Sequence, residues 1–261
     1  DSIIIKNAGT LRSMAIDGEL RCNNLSLNDF SPILPKAFCN LPVLSFDICG
    51  HVDSTILAGD MIFEAKNHTL ALECTANIVT PFDKNRKIEI TFNRLNAKEK
   101  AIGRIVSFFK DAPEDITKKL GDTDIDGKLT ISMDSITGHA NIHSTNGSLN
   151  ATLSADSKGR YNISAMGTAI NLGNITGQEH FSTCNIQGSA EGNINTLTNF
   201  NIELSELQFK GYTYSPITIN GTAGKEFIKA TASTEDPNAS AMLGLTYKHN
   251  RKGTKLDIHL A

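Results

Sequence analysis

Apolar and polar residues alternate with a period of two over much of this chain, and that period constrains the fold more than any other feature. From residue 122 it reads Ile125-x-Gly127-x-Leu129-x-Ile131-x-Met133, then Ile136-x-Gly138-x-Ala140-x-Ile142. Leu149-x-Ala151-x-Leu153-x-Ala155 and Tyr161-x-Ile163-x-Ala165 follow, and the pattern resumes at Ile186-x-Gly188-x-Ala190-x-Gly192-x-Ile194. Ile202-x-Leu204, Ile217-x-Ile219-x-Gly221-x-Ala223, Leu243-x-Leu245-x-Tyr247 and Leu256-x-Ile258-x-Leu260 complete it. A strand turns successive side chains to opposite faces, so each run presents one apolar and one polar face. Turn formers such as Thr145-Asn146-Gly147, Ser157-Lys158-Gly159 and Asp236-Pro237-Asn238 separate the runs, which predicts an antiparallel meander.

The first 95 residues carry the same signal less cleanly, with strands expected at 11–21, 43–53, 55–65, 68–79 and 86–95. The stretch from Ser31-Pro32 through Leu41-Pro42 reads as a loop, because proline cannot donate to a ladder. Between the halves, 98–110 places Ile102, Ile105, Val106 and Phe109 on one stripe, which predicts an amphipathic α-helix that plugs or lines the sheet. Pro113 permits a second short turn from 114, and Gly121 ends it. The division expected is an N-terminal β-part over 1–96, a helical insertion over 97–121 and a C-terminal β-part over 122–261, forming one elongated unit.

Composition narrows the function. A net charge of −3 with mixed signs lacks the basic face that nucleic acid requires, so no nucleic-acid partner is expected. No run of eighteen apolar residues offers a transmembrane helix. Both termini read as continuing sheet, which implies a segment of a longer exported protein. The five cysteines, Cys22, Cys39, Cys49, Cys74 and Cys184, contain no CxxC pair and read as small apolar residues, with one disulfide among the first four as the alternative.

Motifs for catalysis and metals are weak. Asp122, Asp124, Asp126 and Gly127 copy the opening of a calcium loop, but Met133 stands where a bidentate carboxylate is required. His139 and His143 share the polar face of one strand, ~13 Å apart at strand rise and too far for one zinc ion. No nucleophile elbow, phosphate loop, dinucleotide fingerprint or zinc-protease motif occurs, so the chain is expected to be non-enzymatic and without a cofactor.

The apolar face mixes Ile and Leu with Gly188, Ala190, Gly192, Ala230, Ala232, Ala239 and Ala241, and the chain has no Trp. Two arrangements fit. Either two sheets approach closely and fill the space to a density near ~0.74, or they stand apart around a cleft that an apolar guest occupies. From the residues alone the filled interior is the plainer reading.

The order of motifs from Leu120-Gly121 and Ile125-Asp126-Gly127 through Gly138, Gly147-Ser-Leu149, Asn171-Leu172-Gly173-Asn174 and Gly188-Ser-Ala-Glu-Gly192 is more specific than a meander. With Gly211-Tyr212-Thr-Tyr214 and Asp236-Pro237-Asn238 after it, and Pro42-Val-Leu-Ser-Phe-Asp-Ile-Cys-Gly50 before it, the chain resembles the TamB family. These are translocation-and-assembly-module proteins of the AsmA-like group in gram-negative envelopes. The resemblance implies an all-β fold, an elongated antiparallel sheet curled into a U-shaped hydrophobic groove (a β-taco), and favours the open cleft. It implies a periplasmic segment of an inner-membrane-anchored protein in outer membrane biogenesis, with phospholipid or another acyl chain as ligand. An outer-membrane barrel protein of the assembly machinery is the implied protein partner.

On that reading the groove residues are Leu129, Ile131, Met133, Ile142, Leu149, Leu153, Ile163, Ile186, Ile194, Ile202, Leu204, Ile217 and Ile219. Two alternatives stand beside lipid conduction: a scaffold for outer-membrane protein assembly by β-augmentation, and a glycan-binding or adhesive β-solenoid.

Overall fold

The computed structural model describes residues 15–26, 43–101, 119, 121–250 and 253–261. Within them the chain is all-β: a 15-stranded antiparallel sheet that does not close on itself, plus a two-stranded hairpin. The strands are β1 (Ile16–Leu25), β2 (Leu44–Val52), β3 (Ile56–Ala65), β4 (Leu70–Val79), β5 (Lys87–Ala97), β6 (Thr123–Ile131) and β7 (Ser135–Ser144). They continue as β8 (Gly147–Asp156), β9 (Arg160–Asn171), β10 (Thr183–Asn193), β11 (Leu197–Ser205), β14 (Ile217–Gly224), β15 (Phe227–Asp236), β16 (Ala239–Asn250) and β17 (Gly253–Leu260). The hairpin is β12 (Gln208–Phe209) with β13 (Tyr212–Thr213), and the helix α1 covers Leu172–Thr176. In the large sheet every strand neighbours its predecessor in sequence, apart from the excursion through the hairpin between β11 and β14. The meander read from the sequence is therefore present.

The predicted stripe Ile102, Ile105, Val106 and Phe109, the second turn from 114 and the proline-bearing loop near 31–42 lie outside the described residues. Helical backbone is seen at 99–101. There the Asp122 carboxylate accepts the Glu99 backbone N–H at 3.0 Å and pairs with the Lys98 ammonium at 2.8 Å. Asp122 thus caps a helical turn, serving as the acceptor that unpaired N–H groups require.

The chain falls into two compact units, one of residues 1–134 with 142–145, the other of 135–141 with 146–261. In unit 1, direct cross-strand partners put one apolar ladder beside the next. Leu20, Ile48, Met61, Cys74, Phe92 and Gly127 form one row across β1–β6, and Val52, Leu57, Ile78, Ile88 and Ile131 form another. The opposite face carries Asp47, Asp60, Glu73, Thr75, Glu89 and Lys128. Its side chains pair among themselves, as in Thr75 Oγ1 donating to Asp60 at 2.7 Å and Lys128 meeting Glu89 at 3.2 Å.

Keeping one face apolar needs irregularities that the period does not announce. In β5 an extra residue shifts the register between Phe92 and Leu95, which returns both side chains to the same face. A shift in β1 between Cys22 and Leu25 accompanies Asn24 at φ 64°, and one in β9 accompanies Ala169 at φ 52°.

The buried hydrophobics are few. In unit 1, Leu44, Ala65, Leu70, Ala97 and Ala101 cluster, with Phe63 and Leu95 packed on them. They lie along one margin of the apolar face, and Cys74 and Gly127 are buried in the row that also holds Met61 and Phe92. In unit 2 the buried hydrophobic residues among those described are Cys184 and Leu207, and Asp236 is buried as well.

Candidate functional site

The candidate site is the apolar face itself. In unit 1, rows from five described strand pairings carry only aliphatic, aromatic, cysteine and glycine residues apart from Thr123, whose hydroxyl donates to the Gly121 carbonyl at 3.1 Å. Most of these side chains are neither buried nor free: neighbours on the same face cover their flanks, and their tips meet solvent. A closed sandwich would seal such a face, since a filled interior leaves no gap larger than a water molecule.

A row of small residues runs across the strands in the middle of this face: Gly18 opposite Gly50, Gly50 opposite Gly59, and Gly59 opposite Ala76. Three inter-strand steps of about 4.8 Å give it a length of about 14 Å. Over it lies a hollow of about 530 Å³, flanked by Ile16, Val52 and Leu57 on one side and Leu20, Ile48 and Met61 on the other. Its volume is within the ~300–1,000 Å³ of small-ligand sites, and its walls are predominantly apolar. Gly59 has a second reason to be glycine. A Cβ there would sit 2.6 Å from the Cys49 carbonyl oxygen, so a side chain would force the backbones apart.

Unit 2 repeats the pattern with different fillings. Leu153, Ile163, Ala190, Phe200, Gly221, Ala230, Leu245 and Ile258 make one row, and Ala151, Ala165, Gly188, Ile202, Ile219, Ala232, Leu243 and Leu260 the next. Phe200 folds its ring over Gly221, where a Cβ would fall 2.3 Å from the ring. The polar tips on this face pair with each other, Tyr161 with Thr198.

The hollows of unit 2 are on its other face, one of about 630 Å³ bordered by Asn162, Ser189, Asn201, Asn220 and Lys229, and one of about 440 Å³ near His139 and Gln187. A twisted sheet is saddle-shaped, so each face is concave along one diagonal. These polar floors are hydrogen-bonded internally, as between Asn201 and Asn220 and between Thr152 and Ser164.

Of the residues predicted for the groove, Leu129 and Ile131 are on the apolar face of unit 1. Leu149, Leu153, Ile163, Ile186, Ile202, Leu204, Ile217 and Ile219 share the apolar face of unit 2. Ile142 is a strand residue of β7. Met133 and Ile194 are corrections: both sit in turns beyond the ends of β6 and β10, 66% and 78% exposed, and line no ladder. Alternation extrapolated one step past a strand end has no neighbouring strand to define a face.

Sequence reasoning missed the best-formed part of the face. Of its residues, Ile48, Gly50, Leu57, Gly59 and Met61 are legible in the alternating runs Leu44-x-Phe46-x-Ile48-x-Gly50-x-Val52 and Leu57-x-Gly59-x-Met61-x-Phe63, and Gly18, Ala76 and Ile90 join them through register.

The titratable groups serve structure. His51 bridges Asp17 across the strands at 2.8 Å and Asp53 at 3.4 Å, and these carboxylates raise its pKa from the ordinary histidine value. Asp53 is held far below the usual carboxylate range by the Thr55 N–H and hydroxyl and the Ile56 N–H. Glu89 is lowered by Lys87 and Lys128. Burial pushes the Cys74 and Cys184 thiols up, with Asp60 adding to the effect at Cys74. Cys22, Cys49, Cys74 and Cys184 are free thiols, and Cys39 lies outside the described residues. Among the described residues no group of three or more His, Cys, Asp or Glu is gathered to hold a metal ion, and no helix is long and apolar enough to cross a membrane.

Compared with family models, curated proteins and solved structures, the chain matches none.

Proposed function

We propose that this chain is a periplasmic segment of an envelope-spanning protein, and that its apolar sheet face conducts phospholipid acyl chains between the inner and outer membranes. The observation that carries the proposal is the apolar ladder that runs from strand to strand within each unit, its side chains mostly half-buried among the described residues. The order of motifs that resembles the TamB family agrees with it, and so does the small-residue row beneath the hollow of unit 1.

An acyl chain lying on this face would gain about 0.8 kcal/mol for each methylene removed from water, or about 12 kcal/mol for fifteen before ordering costs. A discrete pocket with that affinity would release its guest slowly. A face built from repeated Ile, Leu, Gly and Ala rows avoids the trap, because a sliding chain exchanges one aliphatic contact for another. The headgroup stays in water at the open side. No named side chain performs chemistry in this scheme; the residues supply a continuous low-polarity path. β-augmentation of an assembling outer-membrane strand is the alternative use of the same sheet, through its edge rather than its face.

Mass spectrometry of lipids retained by the purified chain, followed by transfer of a fluorescent fatty acid between vesicles, tests the reading. Ile90→Arg, between Ala76 and Leu129, combined with Ile202→Arg in unit 2, should abolish transfer while the strand signal in circular dichroism is unchanged. Undiminished transfer by the folded double variant would remove the apolar face from the mechanism.

A further inference from the structure

The polar face of unit 2 is built differently from that of unit 1, and we infer that it binds an uncharged linear oligosaccharide. Direct cross-strand partners line up Thr152, Ser164, Ser189, Asn201, Asn220 and Thr231 as one row over β8–β11, β14 and β15. Asn162, Glu191, Asn199, Thr222 and Lys229 form the next row. The hollow of about 630 Å³ is lined from both rows. It shares Ser189 and Asn201 with the hollow of about 440 Å³, so the two make one trough.

A face that serves only solubility carries interspersed charges of both signs. Unit 1 follows that rule, and its charges pair, Arg21 with Asp47 at 2.9 Å and Lys128 with Glu89 at 3.2 Å. The first row of unit 2 holds no charged residue. Asparagine is depleted in strands, yet Asn162, Asn199, Asn201 and Asn220 all stand inside theirs. A local preference broken at four neighbouring positions points to use of the face rather than to folding.

The chemistry of the rows selects the ligand. Amide and hydroxyl side chains both donate and accept hydrogen bonds, as a sugar hydroxyl does, whereas a phosphate or carboxylate only accepts and an ammonium only donates. Thr152 bonds to Ser164 at 2.7 Å and Asn201 to Asn220, which orients these tips. Asn162, Ser189, Asn199 and Thr231 are exposed and make no side-chain hydrogen bond to another described residue. Glu191 and Lys229 stand at two sides of the same hollow, and their charges cancel, so the two rows together match an uncharged guest. Steps of about 4.8 Å repeated from strand to strand suit a chain of like units better than one compact molecule. The apolar rows are on the other side of the sheet, so the inference stands apart from lipid conduction.

Titration of the full chain with a hexamer of N-acetylglucosamine, followed by amide chemical shifts, tests it. Shifts should concentrate on β10, β11, β14 and β15, with a Kd of about 1 mM for so open a surface. Asn201→Ala combined with Asn220→Ala should weaken binding about tenfold. Both positions are exposed, so the strand spectrum of this double variant should be unchanged. Thr75→Ala, on the polar face of unit 1, should bind as the unmodified chain does. Absence of shifts at about 10 mM hexamer overturns the inference. So do shifts confined to unit 1, or a folded double variant that binds undiminished.

Discussion

Leu44 and Ile48 lie on the same face of β2, four residues apart, and replacing each with alanine separates an open apolar face from a covered one. Leu44 is 0% exposed and packs with Ala65, Leu70, Ala97 and Ala101. Leu44→Ala should cost about 3 kcal/mol, the sum of lost transfer energy and the cavity left among neighbours that collapse only partly. Ile48 is 37% exposed and flanks the hollow. A complete burial of isoleucine is worth ~1.5–3 kcal/mol, and about two-thirds of that is realised here. No cavity term is added, because solvent already reaches the site. Ile48→Ala should therefore cost about 1 kcal/mol. The difference of about 2 kcal/mol is about thirtyfold in the local opening constant. Hydrogen exchange of the β2–β4 amides reads this opening within unit 1. Equal costs of about 3 kcal/mol for both variants would show that a protein layer covers Ile48, and the open face would have to be abandoned.

Three further outcomes follow from particular contacts. Alkylation mapped by mass should label the exposed Cys49 first and Cys74 and Cys184 last, because burial both shields these two thiols and raises their pKa. Asp236 accepts the Ser215 N–H at 2.7 Å, the Asn238 N–H at 2.8 Å and the Tyr212 hydroxyl at 3.1 Å, so Asp236→Ala should speed exchange of the Ser215 amide about tenfold, as measured by hydrogen exchange. Asp122 is lowered by Lys98 and the Glu99 N–H, so its folded pKa is below the unfolded value. The stabilisation it gives is complete above the unfolded carboxylate range and disappears as pH falls through the folded pKa. Acid titration followed by exchange at Glu99 should show the helical turn loosening only at that acid end, and Asp122→Asn should show the loosening at neutral pH as well.

The sequence by itself determined the strand class, the alternation of faces and the meander, because a period of two leaves an apolar stripe that only a sheet can gather. It also placed β2 to β5 within a few residues of their observed bounds. Of the thirteen predicted groove residues, two are on the apolar face of unit 1 and eight on the apolar face of unit 2 through direct cross-strand partners, and Ile142 is on β7. Met133 and Ile194 failed because hydrophobic identity persists into a turn, whereas a face does not.

Tertiary structure decided what local pattern cannot encode. Phe92 and Leu95 have opposite parity in the sequence, and only the extra residue between them, seen against β4 and β6, brings both to the apolar side. The glycines at 18, 50 and 59 are unremarkable in their own strands. They become one row with Ala76 only when register sets them side by side, and Gly59 then meets the Cys49 carbonyl too closely for any side chain. Whether the apolar face would be sealed was equally open, since the same alternation serves a sandwich and a trough. Pairing each strand with its sequence neighbour put the described strands into one antiparallel sheet that does not close on itself.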